Sequence, residues 1–352
     1  MSGEFKFSDF TNDASLSKSR ITDLEKVTKA GQQFIGYALV KKVTQGMTKK
    51  NDPFFNVVLG KKGTQFQAKL WNNAFQGKSV EDIKNSLKEG TVIRVDAETQ
   101  EYRQEIQMTI KQFSIPKASE YDVSLFIESA PEDKDLLVGE LEAYIHQIKN
   151  PKLRECVNQI YNKRKEKFIT YPAASKMHHA FVSGLLYHTV SMLRVADDLA
   201  GRYPVLNRDI LYAAIILHDA GKTEEFSEGS EVAATYSPEG VMMGHITMAI
   251  LYIDREEMKI KETLEKNGDS FTMEDHELFM MVKNAIQSHH GPIDNGWGST
   301  ANPASIEAEV IHQIDMIDSR INMIEQALDH APGSGEIVQV HRNRYYKPQS
   351  YS

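Results

Sequence analysis

The twelve histidines are unevenly spread: only His146 precedes residue 178, and the other eleven fall between His178 and His341. Several stand on apolar repeats of helical period. Phe181, Leu185, His188, Met192, Val195 and Leu199 recur every three to four residues, which turns His188 inward. Leu211, Ile215 and His218 repeat the pattern, with Asp219 directly after. His245 leads Met248 and Tyr252 on a third stretch. Ile286, His289 and His290 end a fourth, and Ala308, Ile311 and Asp315 belong to a fifth. A lone inward histidine is usually a hydrogen-bonded core residue. Five histidines with two aspartates in one helical region are harder to satisfy, because each unpaired polar group costs about 1–3 kcal/mol to bury. Bound metal removes that cost, since neutral imidazole and carboxylate are its ligands. The chemistry open to such a cluster is activation of water.

The helical pattern that must position these residues runs from about Tyr171 to Ala331. Ahead of it the sequence reads as strands. FIGYALVKKV, FFNVVLG and TQFQAKLW are followed by a helical SVEDIKNSL, then by TVIRVDAETQ and EIQMTIKQF. Five strands with a helix between the third and fourth is the order of an OB-fold β-barrel. Alternation puts Gln67, Lys69 and Trp71 on one side of the third strand, and Phe66, Ala68 and Leu70 on the other. Phe54 and Phe55 straddle both faces of the second. Phe54, Lys69 and Trp71 are therefore candidate contacts for a single strand, where cations track phosphates and rings stack on bases. Trp71 closing one end of the barrel is the competing reading. The expected division is a polar segment 1–30, the OB-fold domain 31–116, a helical connector 117–170, the metal-binding helical domain 171–331 and a C-terminal tail 332–352. In that tail Arg342 and Arg344 could touch RNA or pack on a neighbouring subunit.

Composition narrows the class. Of 352 residues, 41% are hydrophobic and 26% charged, a balance that excludes global disorder. No run approaches the roughly 18 apolar residues of a membrane span, and the first residues lack a secretory apolar stretch. The single cysteine, Cys156, excludes an internal disulfide and a thiolate zinc site. A cytoplasmic protein without membrane contact is expected. The net charge of −8 divides: residues 1–120 carry 19 Lys and Arg against 14 Asp and Glu, residues 121–352 carry 22 against 35. The basic front half could attract a polyanion, whereas the acidic remainder would repel one unless bound cations offset it. Ala220-Gly221-Lys222-Thr223 imitates the end of a phosphate-binding P-loop. Ile216 occupies the position where that motif needs glycine, so an NTPase is rejected.

His188, the His218-Asp219 doublet and Asp315 resemble the signature of the HD-domain metal-dependent phosphohydrolases, and His245 with His289-His290 resembles the subset that binds two metals. HHAFVSGLLYHT, LHDAGK, GHI, SHHG and HQIDMID occur in family order. With the OB-like front, the chain is similar to the YhaM-type 3′→5′ exoribonucleases. The resemblance implies an all-α HD bundle in which His188, His218, Asp219 and Asp315 hold one metal. His245, His289 and His290 hold the second, with Asp219 bridging. Two such ions would clamp a phosphodiester and activate water against phosphorus. Mixed imidazole and carboxylate ligation suits Mn²⁺, Fe²⁺, Co²⁺ or Zn²⁺ better than Mg²⁺, and Mn²⁺ is favoured. Lys222 could stabilise developing charge, or be a lysine at a helix end. Lys176, His178 and His179 could bind the scissile phosphate or ribose, though the two histidines could equally cap a helix. Trp297 offers a stacking ring or a loop anchor, Arg320 a phosphate contact or an ion pair. Asp318, one turn after Asp315, could orient ligands. The expected partner is single-stranded RNA, with single-stranded DNA and self-association left open. Two alternatives stand beside this: an HD phosphohydrolase of nucleotides or cyclic dinucleotides, and a non-catalytic DNA-binding replication accessory protein.

Overall fold

The computed structural model describes residues 20–350, apart from residues 63, 103–104, 123–124, 127–129, 175–180, 228–234, 330 and 332. The chain divides into two compact units, residues 1–127 and 128–352.

The first unit is a closed five-stranded barrel of OB type. Its strands are β2 (Gln33–Met47), β3 (Pro53–Lys61), β4 (Thr64–Trp71), β5 (Val92–Tyr102) and β6 (Glu105–Ser114). They run in the spatial order β2-β3-β4-β6-β5, and β5 pairs back onto β2 to close the ring. A register shift between Val40 and Lys42 lets β2 turn from one neighbour to the other. Helix α1 (Val80–Ser86) follows β4, capped by a reciprocal Ser79–Asp82 box. Phe55, Val57, Leu59, Ala68, Leu70, Val95 and Ile110 fill the interior. The polar lead-in expected up to residue 30 contributes more than expected. Arg20–Ile21 forms β1, parallel to β2, and Leu24 is fully buried in the barrel core with Val27 beside it. Two isolated apolar residues among charges give no periodic signal.

The second unit is helical: α2 (Lys134–Gln147), α3 (Pro151–Thr170), α4 (Gly184–Arg202), α5 (Arg208–Leu217), α6 (Lys222–Glu225), α7 (Pro238–Lys266), α8 (Met273–Gln287) and α9 (Ile306–Asp329). Helix α5 is apolar from Ile210 to Leu217 and buried there all round, the axis on which α2, α3, α4, α8 and α9 pack. The expected connector helices α2 and α3 share this core through Leu137, Leu141, Leu153 and Cys156. Burial pushes the Cys156 thiol well above its usual range, which leaves it a packing residue. The C-terminal tail contains a β-hairpin of β7 (Ile337–Val340) and β8 (Asn343–Tyr346). Among the described residues no helix is long and apolar enough to cross a membrane.

Helix α8 is held at its start by a capping box. Asp275 accepts from the Thr272 backbone at 2.8 Å and hydroxyl at 2.6 Å, and also from Asn150 at 2.9 Å and Lys152 at 2.7 Å, on the N-terminal turn of α3. Burial opposes ionisation of Asp275, but these hydrogen bonds outweigh it and hold the carboxyl well below the usual carboxylate range. Its contribution is complete above about pH 4, the unfolded value, and is lost as pH falls towards the depressed folded value. Asp275→Ala is expected to lower stability by about 2 kcal/mol at pH 7. Urea denaturation at pH 7 should show a reduced midpoint, and the gap between variant and parent should narrow below pH 4.

Candidate metal centre

Five helices deliver the histidines and aspartates to one place. His188 comes from the second turn of α4. His218 and Asp219 lie in the turn directly after α5, and His289 and His290 in the turn directly after α8, just past the helices on which the pattern placed them. His245 comes from α7 and Asp315 from α9. The C-terminal carbonyls of α5 and α8 thus face the cluster, and that end of a helix favours positive charge.

The same carbonyls orient the rings. His218 Nδ1 donates to Ile215 O at 2.6 Å, and His289 Nδ1 donates to Ile286 O at 2.7 Å. Carboxylates fix two more: His188 Nδ1 lies 2.7 Å from Asp318 Oδ2, and His245 Nδ1 lies 3.2 Å from Glu225 Oε1. With Nδ1 engaged outward, each of these four rings turns Nε2 toward the centre.

Two glycines permit this geometry. Gly244 (φ 70°, ψ 156°) interrupts α7 immediately before His245. The His245 N–H, released at the kink, donates to Glu225 Oε1 at 3.0 Å. Gly221 lies against the His245 backbone carbonyl, where a side-chain Cβ would overlap it.

The ligand atoms fall into two groups. His188, His218 and Asp219 form one, and His245, His289 and His290 the other, the atoms of each lying within 4.8 Å of one another. In the first, His188 Nε2 is 3.3 Å from both His218 Nε2 and Asp315 Oδ1, and His218 Nε2 is 3.3 Å from Asp219 Oδ2. Donors about 2.1 Å from one ion, roughly at right angles, would stand near this separation. Asp219 spans the groups: Oδ2 faces His218, whereas Oδ1 lies 3.5 Å from His245 Nε2 and 4.0 Å from His289 Nε2. Asp219 Oδ1, His245 Nε2, His289 Nε2 and His290 Nδ1 are buried without a hydrogen-bond partner. Leaving four such atoms in one cluster is costly unless a cation is bound there. The residues therefore fit two divalent ions.

Residues 185–320 match the HD-domain family model.

An HD domain indicates a metal-dependent phosphohydrolase, and its boundaries take in all seven histidines and aspartates of the cluster. Electrostatics within the HD domain favour the metal-ready protonation states at most positions. Burial, reinforced by neighbouring His245, lowers His290 to about 4, and burial with His290 beside it drives His289 well below its ordinary value. Burial opposes ionisation of Asp219 and Asp315, but Lys222 and His218 outweigh it at Asp219, and His188 outweighs it at Asp315. His188 differs. Burial disfavours its charged form, yet Asp315 and Asp318 prevail and raise it to about 10.

The remaining candidate residues divide. Lys222 is buried, and its Nζ donates to Asp219 Oδ2 at 2.6 Å, so it touches the cluster directly and is not a surface lysine. Trp297 and Arg320 line a cavity of about 830 Å³ shared with Asp219, His290 and Asp315. Lys176, His178 and His179 lie outside the described residues. On the barrel, Phe54 and Trp71 are cross-strand partners with ring centroids 5.1 Å apart. Lys69 Nζ lies 5.2 Å from the Trp71 ring centroid and 5.6 Å from that of Phe54. All three are half-buried on the face opposite the core. A base stacking there must displace the ammonium or use an open ring face.

Glu225 is the positioning residue that sequence reasoning missed. It sits in a four-residue helix with no periodic pattern; the available signal was that His245 needs an acceptor at Nδ1. Asp318, expected to orient ligands, contacts His188 Nδ1, and Ser191 Oγ donates to its other oxygen.

Proposed function

We propose that the protein is a metal-dependent 3′→5′ exoribonuclease that hydrolyses single-stranded RNA, and single-stranded DNA at the same site, to nucleoside 5′-monophosphates. The observation that carries the reading is Asp219, whose two carboxylate oxygens face two separate imidazole groups inside an HD domain. On this reading His188, His218 and Asp315 would hold one ion and His245, His289 and His290 the other, with the Asp219 carboxylate shared between the two groups. Divalent ions bound there, Mn²⁺ being favoured by the mixed donor set, would supply a polarised phosphoryl oxygen and an activated water. Lys222 then supplies a fixed positive charge beside the phosphate. Asp318 and Glu225 hold two of the rings in position. The barrel face of Phe54, Lys69 and Trp71 grips the strand. The polarity of digestion rests on the resemblance to the exoribonuclease family.

A 5′-labelled single strand incubated with the Mn²⁺-loaded protein should shorten progressively from its 3′ end, releasing 5′-monophosphates. If no strand shortens with any of the four metals, the nuclease reading is wrong. Trp71→Ala is expected to weaken single-strand binding about tenfold, in the range of one lost base–ring stack. Fluorescence anisotropy measures it, and unchanged affinity would remove the barrel face from the scheme.

A further inference from the structure

The HD-domain match ends at residue 320, but the catalytic cavity does not. One wall of it is the C-terminal hairpin. Val340, His341, Arg342, Asn343 and Tyr345 line the same space as Asp219, Lys222 and Asp315. The base of the hairpin is closed by Gly335 N donating to Lys347 O at 2.8 Å and Lys347 N donating to Glu336 O at 2.8 Å, and Lys347 Nζ ties it to Ala331 O at 3.2 Å, just past α9. Its loop is two residues long, because Val340 pairs directly with Asn343. His341 takes a left-handed conformation there (φ 51°), and Gln339 Nε2 donates to its carbonyl at 3.1 Å. Arg342 therefore stands at the tip of a short, braced turn rather than on a loose tail.

The chemistry of this wall differs from that of the metal cluster. Arg342 and Arg320 both line the cavity, and among the described residues neither has an ion-pair partner. A guanidinium can bind a phosphate through two parallel hydrogen bonds. Trp297 and Tyr345 add aromatic rings, and Asn295 and Asn343 add amides able to donate to or accept from a base edge. A lone phosphate at the metal cluster would need none of these groups. Rings, amides and spare guanidinium groups together suit a nucleotide joined to a second phosphate.

We infer that the C-terminal hairpin is the outer wall of a nucleotide subsite, in which Arg342 and Arg320 bind the phosphodiester next to the scissile one. The hairpin thereby selects a linear single strand over an isolated diester. The inference rests on the phosphodiesterase reading of the HD site and adds a substrate-selecting element beyond the matched segment.

The test compares two substrates on the full-length, Mn²⁺-loaded protein: a single-stranded oligoribonucleotide and bis(p-nitrophenyl) phosphate, which has one phosphate only. Arg342→Ala should lower the ratio of their kcat/KM values about tenfold, chiefly through a higher KM for the oligonucleotide. Binding of the strand should also lose about 0.7 from its slope of log affinity against log salt, the value for one phosphate contact on a single strand. Arg342→Lys should recover the salt slope but only part of the ratio. An unchanged ratio and an unchanged slope would overturn the inference while leaving the diesterase reading intact, provided the small diester is still cleaved. A parent protein that cleaves neither substrate would overturn both.

Discussion

Asp219→Asn is expected to reduce hydrolysis by at least about 10³-fold and to leave no more than one bound ion per chain. Each Asp219 oxygen faces a different imidazole group, and the amide offers one acceptor oxygen where the carboxylate offers two. A metal centre stabilises charge by several kcal/mol, so dismantling one half of a pair has an effect of that order. Lys222 also loses its partner at 2.6 Å. The buried ammonium then lacks compensation, and a lower melting temperature should accompany the loss. Metal content by mass spectrometry, turnover and thermal melting check this together. Two retained ions with more than a tenth of the parent activity would count against the bridging role.

Gly221→Ala is the second large effect. The added methyl would overlap the His245 backbone carbonyl, so the turn after α5 and the kinked segment of α7 must move apart. Overpacking of this kind costs about 1–3 kcal/mol. It also displaces His245 from Asp219 and from Glu225, and a misplacement near 1 Å at a reacting centre costs about 10²-fold in rate. Gly139 in α2 is the control, since a Cβ there meets nothing within 4 Å. Gly139→Ala should raise stability by roughly 0.5–1 kcal/mol through helix propensity alone. Chemical denaturation and kcat for both variants separate the effects. Equal behaviour of the two alanines would mean that the close approach at Gly221 has no structural consequence.

The difference between these glycines illustrates what the sequence disclosed. His188, His218, His245, His289 and Asp315 were legible because a polar group interrupts an apolar helical repeat, whereas Asp219 and His290 have no period of their own and follow two of these histidines directly. Gly221 was legible only as part of a false phosphate-loop ending. Its actual constraint is a contact with a residue 24 positions away, which no local pattern records. Glu225 was hidden for the same reason, since its partner His245 is 20 residues distant. The barrel was readable from its strand and helix order. Leu24 and Val27 were not, because a few apolar residues scattered among charges in a short segment outside any strand or long helix give too little pattern to read. The hairpin had a local signal that went unused: IVQV and NRYY are short β-prone runs separated by two residues. Its place beside the metal cluster, by contrast, is a tertiary fact.

The most direct test of the central claim is anomalous scattering from a crystal of the protein soaked in Mn²⁺. Two peaks are predicted, one among His188, His218 and Asp315, the other among His245, His289 and His290, with the Asp219 carboxylate between them. A pocket without anomalous density at saturating metal, its imidazoles turned away from one another, would contradict it.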